Sequence, residues 1–369
     1  MNEKGKSAES QTLVISRARE LILKYGWNST AYQILNPGIK RWFGADGESV
    51  VGFAKTYGVR VVVGAPVCEL QSLTQTLFDF EREAANCREL VCYLAAESRL
   101  ESAYAERPAY TKILLGAQPV WNPAGWEKII AENKSLRAQL NRARNKGVVV
   151  SEWSTEKAAN HPALLDCLKN WLAAKGLPPM HFMVEPYTLS RLFDRRVFVA
   201  ERDGKAIGFI MLSPVPRRNG WLFEQFVQRP NSPNGTVELM IDRAMRALAE
   251  GNYDYATLGL SPLSTRAAID AFDNPLWLRF LIGWARLHGR RFYNFDGLDA
   301  FKNKLRPANW EPIFAVSNES RLSLKTVYAI AAAFSENKPF SLIFGGLRRA
   351  FMTEIKWMRD RFGRALQSL

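Results

Sequence analysis

The stretch EQFVQRPNSPNGTVELMIDRAMRALAEGNYDYATLGLSPLS, Glu224 to Ser264, contains the signals that decide the fold of this chain. A strand-like run, Trp221 to Val227, leads into it and ends in the loop Arg229 to Gly235. Two prolines and a glycine prevent regular structure in that loop. A second strand-like run, Tyr255 to Leu260, closes the stretch. The order is therefore strand, polar loop, helix and strand.

The segment between the loop and the second strand has the features of a helix. Thr236 is a good N-cap residue, and Glu238 and Asp242 lie near the helix start, where the helix dipole favours acids. Gly251 is a suitable stop. Apolar residues recur at helical spacing at Val237, Met240, Ile241, Met245 and Leu248.

This order of elements has two interpretations. A polar loop before a helix exposes backbone N–H groups, and such groups bind anions or polarise carbonyls. The other interpretation is an ordinary βαβ crossover without a functional role.

Composition limits the partners of the chain. Its 369 residues suggest two domains of ordinary size, and a hydrophobic content of 47% is enough for real cores. The net charge of +14 and the pI of about 9.7 favour polyanions: nucleic acid, phosphate-rich ligands or an anionic membrane surface. No apolar run approaches the roughly 18 residues needed to span a bilayer.

Cysteine and histidine patterns predict reduced thiols, and no motif among them supports a zinc site or a Ser-His-Asp triad. The start of the chain, MNEKGKSAESQT, has no apolar signal-peptide core, and no two cysteines form a Cys-x-x-Cys pair. We therefore expect a cytoplasmic protein. The residues concerned are Cys68, Cys87, Cys92, Cys167, His161, His181 and His288.

A basic helix is predicted from Glu132 to Lys146. It has no acid after Glu132, and Gly147 ends it. One interpretation is a solvated face of an amphipathic helix, and the other is a face that binds tRNA or other phosphates. Its cations are Lys134, Arg137, Arg142, Arg144 and Lys146.

The order hairpin, helix, strand, helix occurs twice, around residues 48–105 and 196–289, which suggests a duplicated α/β fold. We divide the chain into an N-terminal domain, 11–147, a C-terminal catalytic domain, 148–320, and a basic segment, 321–369. In that last segment aromatic and aliphatic residues recur at helical spacing. This predicts an amphipathic helix that packs on its own domain or lies on a membrane surface.

Several segments, in this order, resemble the C-terminal catalytic region of bacterial phosphatidylglycerol lysyltransferases and alanyltransferases. Together they extend over about residues 20–318. They are Tyr25-Gly26-Trp27-Asn28-Ser29, Val62 to Val67, Ser135 to Ala143, Arg229 to Thr236, Leu258 to Leu263, Tyr293-Asn294-Phe295, Phe301-Lys302-Asn303-Lys304 and Pro307 to Glu311.

The resemblance implies a fold and a reaction. The fold would be α/β, with two tandem acetyltransferase-like (GNAT) domains, mixed central sheets and flanking helices. The reaction would move an aminoacyl group from aminoacyl-tRNA to the hydroxyl of a lipid such as phosphatidylglycerol, without a cofactor or a metal. Full-length synthases also carry a multi-span membrane domain. We expect this chain to reach an anionic phospholipid from the inner face of the cell membrane.

The resemblance also implies site residues. Glu224 would remove the acceptor proton or hold the substrate ammonium, while Lys302 and Lys304 would neutralise a phosphate or the oxyanion. Backbone N–H groups around residues 234–236 would polarise the ester. The substrate-binding residues would be Arg229, Asn234, Gly235, Thr236 and Ser261.

One position departs from the family pattern. Counting back from Gly235, the family's Asp and Arg fall on Glu224 and Val227, and valine cannot bind phosphate as a guanidinium does. Other functions therefore stay open: aminoacyl transfer from tRNA to a small molecule, acyl-CoA-dependent N-acyl transfer, or a non-catalytic module that binds RNA or membranes. The amino acid and the oligomeric state are not encoded in these motifs.

Overall fold

A twelve-stranded sheet runs through both halves of the chain in the computed structural model, which describes residues 3–104, 110–175, 179–267 and 295–335. Helices cover both faces of the sheet, so the mixed α/β architecture expected from the sequence is confirmed. The apolar cores lie between the sheet and these helices.

The described residues of the first half form five strands and five α-helices. The strands are β1 (Lys40–Phe43), β2 (Val50–Thr56), β3 (Val59–Val63), β4 (Leu90–Ala96) and β5 (Thr111–Trp121). The helices are α1 (Glu3–Tyr25), α2 (Leu73–Asn86), α3 (Ser98–Tyr104), α4 (Trp126–Glu132) and α5 (Lys134–Asn145). A short 3-10 helix, Ala31–Leu35, follows α1.

The second half contributes the remaining described elements. The strands are β6 (Val149–Trp153), β7 (Arg196–Arg202), β8 (Lys205–Val215), β9 (Gly220–Gln228), β10 (Tyr255–Thr257), β11 (Ser261–Pro262) and β12 (Asn309–Ser317). The helices are α6 (Thr155–Ala158), α7 (Pro162–Lys175), α8 (Thr236–Glu250), α9 (Phe295–Lys304) and α10 (Leu324–Phe334).

The strand order repeats the same local arrangement in the two halves. It runs β1-β2-β3-β4-β12-β5-β10-β9-β8-β7-β6, and β11 pairs with β5. Neighbouring strands are antiparallel except for β3 with β4 and β9 with β10, which are parallel. Because α2 and α8 connect these two parallel pairs, each half contains one βαβ crossover, as the repeated order of elements predicts.

Strand β12 joins the two halves. It comes from the C-terminal half but lies between β4 and β5 of the first half, with Phe314 beside Ala96 on one side and Leu114 on the other. The domain bounds 11–147, 148–320 and 321–369 stay a prediction. The shared strand shows that neither half completes its sheet alone.

Two details differ from the sequence-based expectation. Apolar residues at helical spacing predict a helix from Gln11 to Tyr25, whereas helix α1 already begins at Glu3. Strand β12 was not predicted, because Pro312 interrupts its sequence pattern; in the sheet, Pro312 lies opposite Ala117 near a register shift.

Three predictions fall wholly or mostly outside the described residues: the helix 274–288, the strand 292–295 and the C-terminal amphipathic helix 340–362. Phe295, the last residue of the predicted strand, is the first residue of α9.

Candidate functional site

The loop between β9 and α8 forms one wall of a pocket. The cavity measures about 480 Å³ and brings together the loop, the start of α8, the basic helix α5 and helix α9. Two of the predicted substrate-binding residues, Asn234 and Gly235, lie in its wall. Its lining residues are Gln139, Arg142, Gln228, Ser232, Pro233, Asn234, Gly235, Val237, Glu238 and Phe301.

The start of α8 has no side-chain cap. Gly235, and not Thr236, is the N-cap residue, and its φ of +94° lies in the left-handed region that favours glycine. Thr236 is the first helical residue and not the N-cap, and its buried hydroxyl donates to the carbonyl oxygen of Pro233 at 2.6 Å. The positive end of the α8 dipole is thus turned toward the pocket.

Gly235 also sets the distance between α8 and α5. A Cβ atom at this position would overlap the backbone oxygen of Gln139 on α5. The close packing brings the exposed guanidinium of Arg142 beside the start of α8. A backbone dipole and a full positive charge therefore face the same cavity, which suits an anionic group.

The five cations of α5 divide into two groups. Arg144 donates to Asp242 of α8 at 2.9 Å, and Arg137 donates to the carbonyl oxygen of Ile130 at 2.8 Å. Although the basic helix has no acid of its own after Glu132, Arg144 therefore has a counter-charge on a neighbouring helix. Exposed side chains with no carboxylate partner among the described residues remain at Lys134, Arg142 and Lys146.

The two predicted lysines lie on different sides of α9. Lys304 forms an ion pair with Glu238 at 2.7 Å and so reaches the rim of the pocket. Lys302 is buried and donates to the carbonyl oxygens of Gly259 and Leu260 at 2.8 and 2.9 Å. Burial lowers the pKa of Lys302 to about 7, although Asp299 raises it in part. This amine is therefore divided between its neutral and charged forms near neutral pH.

Glu224 lies in a separate environment. It is the extra residue of a β-bulge in β9, since Gln225 pairs with Met211 and Phe223 with Leu212. Phe223 packs toward the core beneath α8, whereas the Glu224 carboxylate points to the 3-10 helix after α1. It does not line the pocket at the start of α8.

The carboxylate of Glu224 is held by two neighbours. Arg195 donates from Nε to Oε2 at 2.8 Å and from Nη2 to Oε1 at 3.1 Å, and Gln33 donates to Oε1. The side chains of the ion pair are 2% and 8% exposed. Three of the roughly four acceptor sites of the carboxylate are therefore occupied and its side chain is buried, so an acceptor could reach Glu224 only if this arrangement opens.

The position of Val227 is filled by apolar packing. Its side chain is buried with Leu189 and Leu192. A guanidinium nevertheless reaches the carboxylate at position 224, because Arg195 approaches it from the segment before β7.

The other predicted substrate-binding residues lie apart. Arg229 pairs with Asp166 of α7 at 2.5 Å and lines a different cavity, on the side of Trp153 and His161. Ser261 is buried in the short strand β11, and its hydroxyl has no hydrogen-bond partner among the described residues. Neither residue lines the pocket at the start of α8.

A buried polar network was missed by the sequence reasoning. Arg218 donates to Glu97 at 3.1 Å and to Glu311 at 2.8 Å, and its guanidinium lies 3.7 Å from the ring centre of Tyr255. Burial raises the pKa of Glu97, and Arg218 opposes that shift. Glu97 also accepts from the backbone N–H of Ser29 at 2.6 Å.

This network joins two segments that carry the family resemblance, those containing Ser29 and Glu311. In the sequence, both segments combine aromatic residues with polar residues that have no evident partner nearby. This pattern could have indicated a polar network. Within the described ranges, no group of three or more His, Cys, Asp or Glu residues is arranged to hold a metal ion. Similarly, no helix described by the structure is both long and apolar enough to cross a bilayer.

Comparison with known proteins gives a consistent result. The family model described as phosphatidylglycerol lysyltransferase, C-terminal, matches residues 19–317. The phosphatidylglycerol lysyltransferase of Bacillus subtilis is 22% identical over 315 residues, which are 83% of this chain and 35% of that protein. This chain spans about a third of the length of the first curated relatives that it matches.

Two solved structures share the fold. The C-terminal DUF2156 domain from Agrobacterium fabrum superposes with a TM-score of 0.75 at 18% identity, covering 88% of this chain and 97% of that one. The structure described as L-PGS from Bacillus licheniformis superposes with a TM-score of 0.72 at 19% identity, covering 86% and 95%.

Proposed function

Because the chain belongs to the family of phosphatidylglycerol lysyltransferase C-terminal domains, we propose that it transfers an aminoacyl group from aminoacyl-tRNA to the hydroxyl of an anionic phospholipid. The observation that carries this proposal is the pocket at the start of α8. There the uncapped helix end and Arg142 offer positive potential to an anionic donor.

The reaction is an exchange of esters. The acceptor hydroxyl oxygen attacks the ester carbonyl carbon, the bond to the ribose oxygen of the tRNA breaks, and the hydroxyl proton ends on that ribose oxygen. The donor ester is already activated, so the protein has to position the reactants, move the proton and stabilise the oxyanion.

The pocket fits the donor end of this exchange. Because the backbone N–H of Thr236 already donates to the carbonyl oxygen of Pro233 at 3.2 Å, the N–H groups of Gly235 and Val237 would stabilise a phosphate or the oxyanion, and Arg142 would add a charge-assisted bond. The exposed Lys134 and Lys146 extend the positive surface along the same helix, which suits the phosphate backbone of a tRNA.

Two groups are candidates for moving the proton. Lys302 has a pKa of about 7 because it is buried, so its amine can accept and return a proton near neutral pH. Glu224 is the second candidate and would first have to exchange its contacts with Arg195 and Gln33 for the acceptor. Lys304 is assigned to the pocket rim, where its charge is shared with Glu238.

Contact with the membrane is a further part of the proposal. Residues 340–362 combine basic and aromatic side chains at helical spacing, which suits the surface of an anionic membrane. Deletion of residues 340–369 should reduce binding to anionic liposomes and leave the rest folded. An insoluble truncated protein would assign the segment to core packing.

A second candidate function is aminoacyl transfer to a small, water-soluble molecule. Val227 favours it, because an apolar cluster occupies the position where the family has a phosphate-binding arginine. One experiment separates the two: the full chain is incubated with radiolabelled aminoacyl-tRNAs, a total lipid extract and a water-soluble metabolite extract. Label in the lipid phase supports the first function, label in the aqueous phase supports the second, and label that stays on tRNA contradicts both.

A further inference from the structure

A cleft lined by arginines lies on the face of the sheet that carries Glu224. It measures about 220 Å³ and lies between α1, the 3-10 helix Ala31–Leu35 and the segment 188–195 before β7. We call it the arginine cleft and define it by its lining residues: Thr12, Ile15, Leu35, Asn36, Pro37, Thr188, Arg191, Phe193 and Arg195.

Asn36 joins two guanidinium groups behind this cleft. Arg195 donates to its side-chain oxygen at 3.4 Å, and Arg41 donates to its backbone oxygen at 3.2 Å. The Asn36 amide in turn donates to the carbonyl oxygen of Phe182 at 2.8 Å. The floor of the cleft is therefore a hydrogen-bonded frame that holds positive charge in a fixed place.

Positive charge exceeds negative charge around the cleft. The nearby carboxylates are already occupied: Glu224 by Arg195, and Asp194 by Arg19 at 2.7 Å. Two further guanidinium groups, those of Arg41 and Arg191, have no carboxylate partner in the part of the chain that the structure describes.

Arg41 and Arg191 also act on each other. Burial lowers the pKa of Arg41 to about 10, and the charge of Arg191 adds to that shift. The Nε atom of Arg41 is buried without a hydrogen-bond partner among the described residues. An anion bound in the cleft beside Arg191 would reduce the repulsion between the two groups.

The opposite wall of the cleft is apolar. Ile15 and Leu35 line it, and the side chain of Phe193 is 60% exposed at its edge. An exposed aromatic ring beside unneutralised guanidinium groups suits a ligand with an anionic head and an apolar tail. A free inorganic anion would leave this wall bare.

We propose that the arginine cleft binds the phosphodiester of an anionic phospholipid, with Arg191 on the phosphate, Arg41 adding positive potential from behind the cleft, and Phe193 against an acyl chain. The identity of the phospholipid as the acceptor rests on the proposed function. The cleft adjoins Arg195, whose guanidinium also holds Glu224, so a lipid bound here would lie near the bulge of β9.

The test is direct binding, without tRNA. Dihexanoyl phosphatidylglycerol, below its micelle concentration, is titrated calorimetrically into the full chain. Dihexanoyl phosphatidylcholine and inorganic phosphate serve as the comparison ligands. Arg191→Gln and Arg41→Gln are compared with Lys40→Gln, which removes one positive charge from an exposed neighbour of Arg41.

We expect phosphatidylglycerol to bind more tightly than either comparison ligand. Arg191→Gln should weaken it by about tenfold or more, the usual effect of losing a hydrogen bond to a charged group, and Arg41→Gln, which removes a charge behind the cleft, should weaken it less. Lys40→Gln should bind as the wild type does. Because Arg41 is partly buried, circular dichroism must show that its variant is folded, and Arg191, which lines the cleft, provides the independent result.

Equal affinity for phosphatidylglycerol in the wild type and Arg191→Gln would overturn the proposal, as would equal affinity for inorganic phosphate and the lipid. The outcome is separable from that of the proposed function. If the protein binds the lipid through Arg191 but transfers no aminoacyl group, the proposed binding site stands and the proposed reaction is contradicted. If the Arg191→Gln variant aminoacylates lipid as well as the wild type does, the proposed reaction stands and the proposed binding site is contradicted.

Discussion

Arg195 and Glu224 form a buried, bidentate ion pair, with Nε–Oε2 and Nη2–Oε1 distances of 2.8 and 3.1 Å. Burial lowers the pKa of Arg195, but the carboxylate of Glu224, together with Tyr32 and Asp194, raises it, and the net shift is upward. The pair couples the β-bulge of β9 to the segment before β7. It therefore contributes to the structure whether or not Glu224 takes part in catalysis.

Glu224→Gln should destabilise the protein because it leaves the buried Arg195 without a counter-charge. Removal of one member of a buried pair costs about 3–5 kcal/mol. Arg195→Gln should have a similar cost, and the double variant should cost clearly less than the sum. Urea unfolding of the four proteins measures this coupling, and additive costs would show that the pair contributes no mutual stabilisation.

The same variants test whether Glu224 takes part in the reaction. If it removes the acceptor proton, aminoacyl transfer by Glu224→Gln should fall at least about a hundredfold under conditions where the variant is folded. The folded double variant should be equally inactive. A double variant that transfers at a rate near that of the wild type would assign Glu224 a purely structural role.

The exposed cations of α5 should account for part of the salt dependence of tRNA binding. Changing Lys134, Arg142 and Lys146 to Gln should weaken binding. It should also reduce the slope of log affinity against log salt by about 0.7–0.9 for each tRNA phosphate that the variant no longer neutralises. Fluorescence anisotropy with labelled tRNA at several salt concentrations measures both quantities.

The matched control changes three exposed lysines around α7, on the opposite face of the sheet: Lys157, Lys169 and Lys205. The change in net charge is identical, so an equal reduction of the slope would mean that tRNA responds to total charge and not to α5. Arg144 is left unchanged, because it neutralises the buried Asp242.

The sequence predicted the local elements of this fold well, because their signals are local. The loop of prolines and glycine before α8, the helical spacing within α8 and the hairpin of β7 and β8 all depend on neighbouring residues. The cap of α8 was assigned to Thr236, since a threonine fits that role. The structure uses Gly235, because only a residue without Cβ can pack so closely against α5.

The environments of the candidate site residues could not be predicted, because their partners are distant in sequence. Arg195 and Glu224 are 29 positions apart, and Arg144 and Asp242 are 98 positions apart. The resemblance pointed to Lys302 and Lys304 together. Only the packing of α9 shows that the first is buried and the second is paired at the pocket rim.

Gly235→Ala should damage the pocket at the start of α8. The new methyl group would meet the backbone oxygen of Gln139, and the φ of +94° is strained for any L residue. We expect a decrease of about 1–3 kcal/mol in stability together with weaker tRNA binding.

Gly204→Ala is the control. Gly204 has a φ of +70° in the turn between β7 and β8, with open space around its Cβ position. Equal effects on tRNA binding would show that backbone strain alone, and not the packing against α5, is responsible.

Lys302 should make the stability of the protein depend on pH. Its pKa falls from 10.5 to about 7 on folding because it is buried, so between these values the unfolded chain binds a proton that the folded chain does not. The free energy of unfolding should therefore rise from pH 7 toward pH 10, by up to about 1.4 kcal/mol per pH unit from this residue, and the Lys302 contribution should be flat below pH 7.

Lys302→Met should remove this slope. Lys304→Met, on the same helix, retains Lys302 and should keep it. Urea unfolding at pH 6, 7, 8 and 9 measures the slope in all three proteins. An unchanged slope in Lys302→Met would mean that the buried amine stays protonated through its bonds to the carbonyl oxygens of Gly259 and Leu260, and it could not then serve as a base near neutral pH.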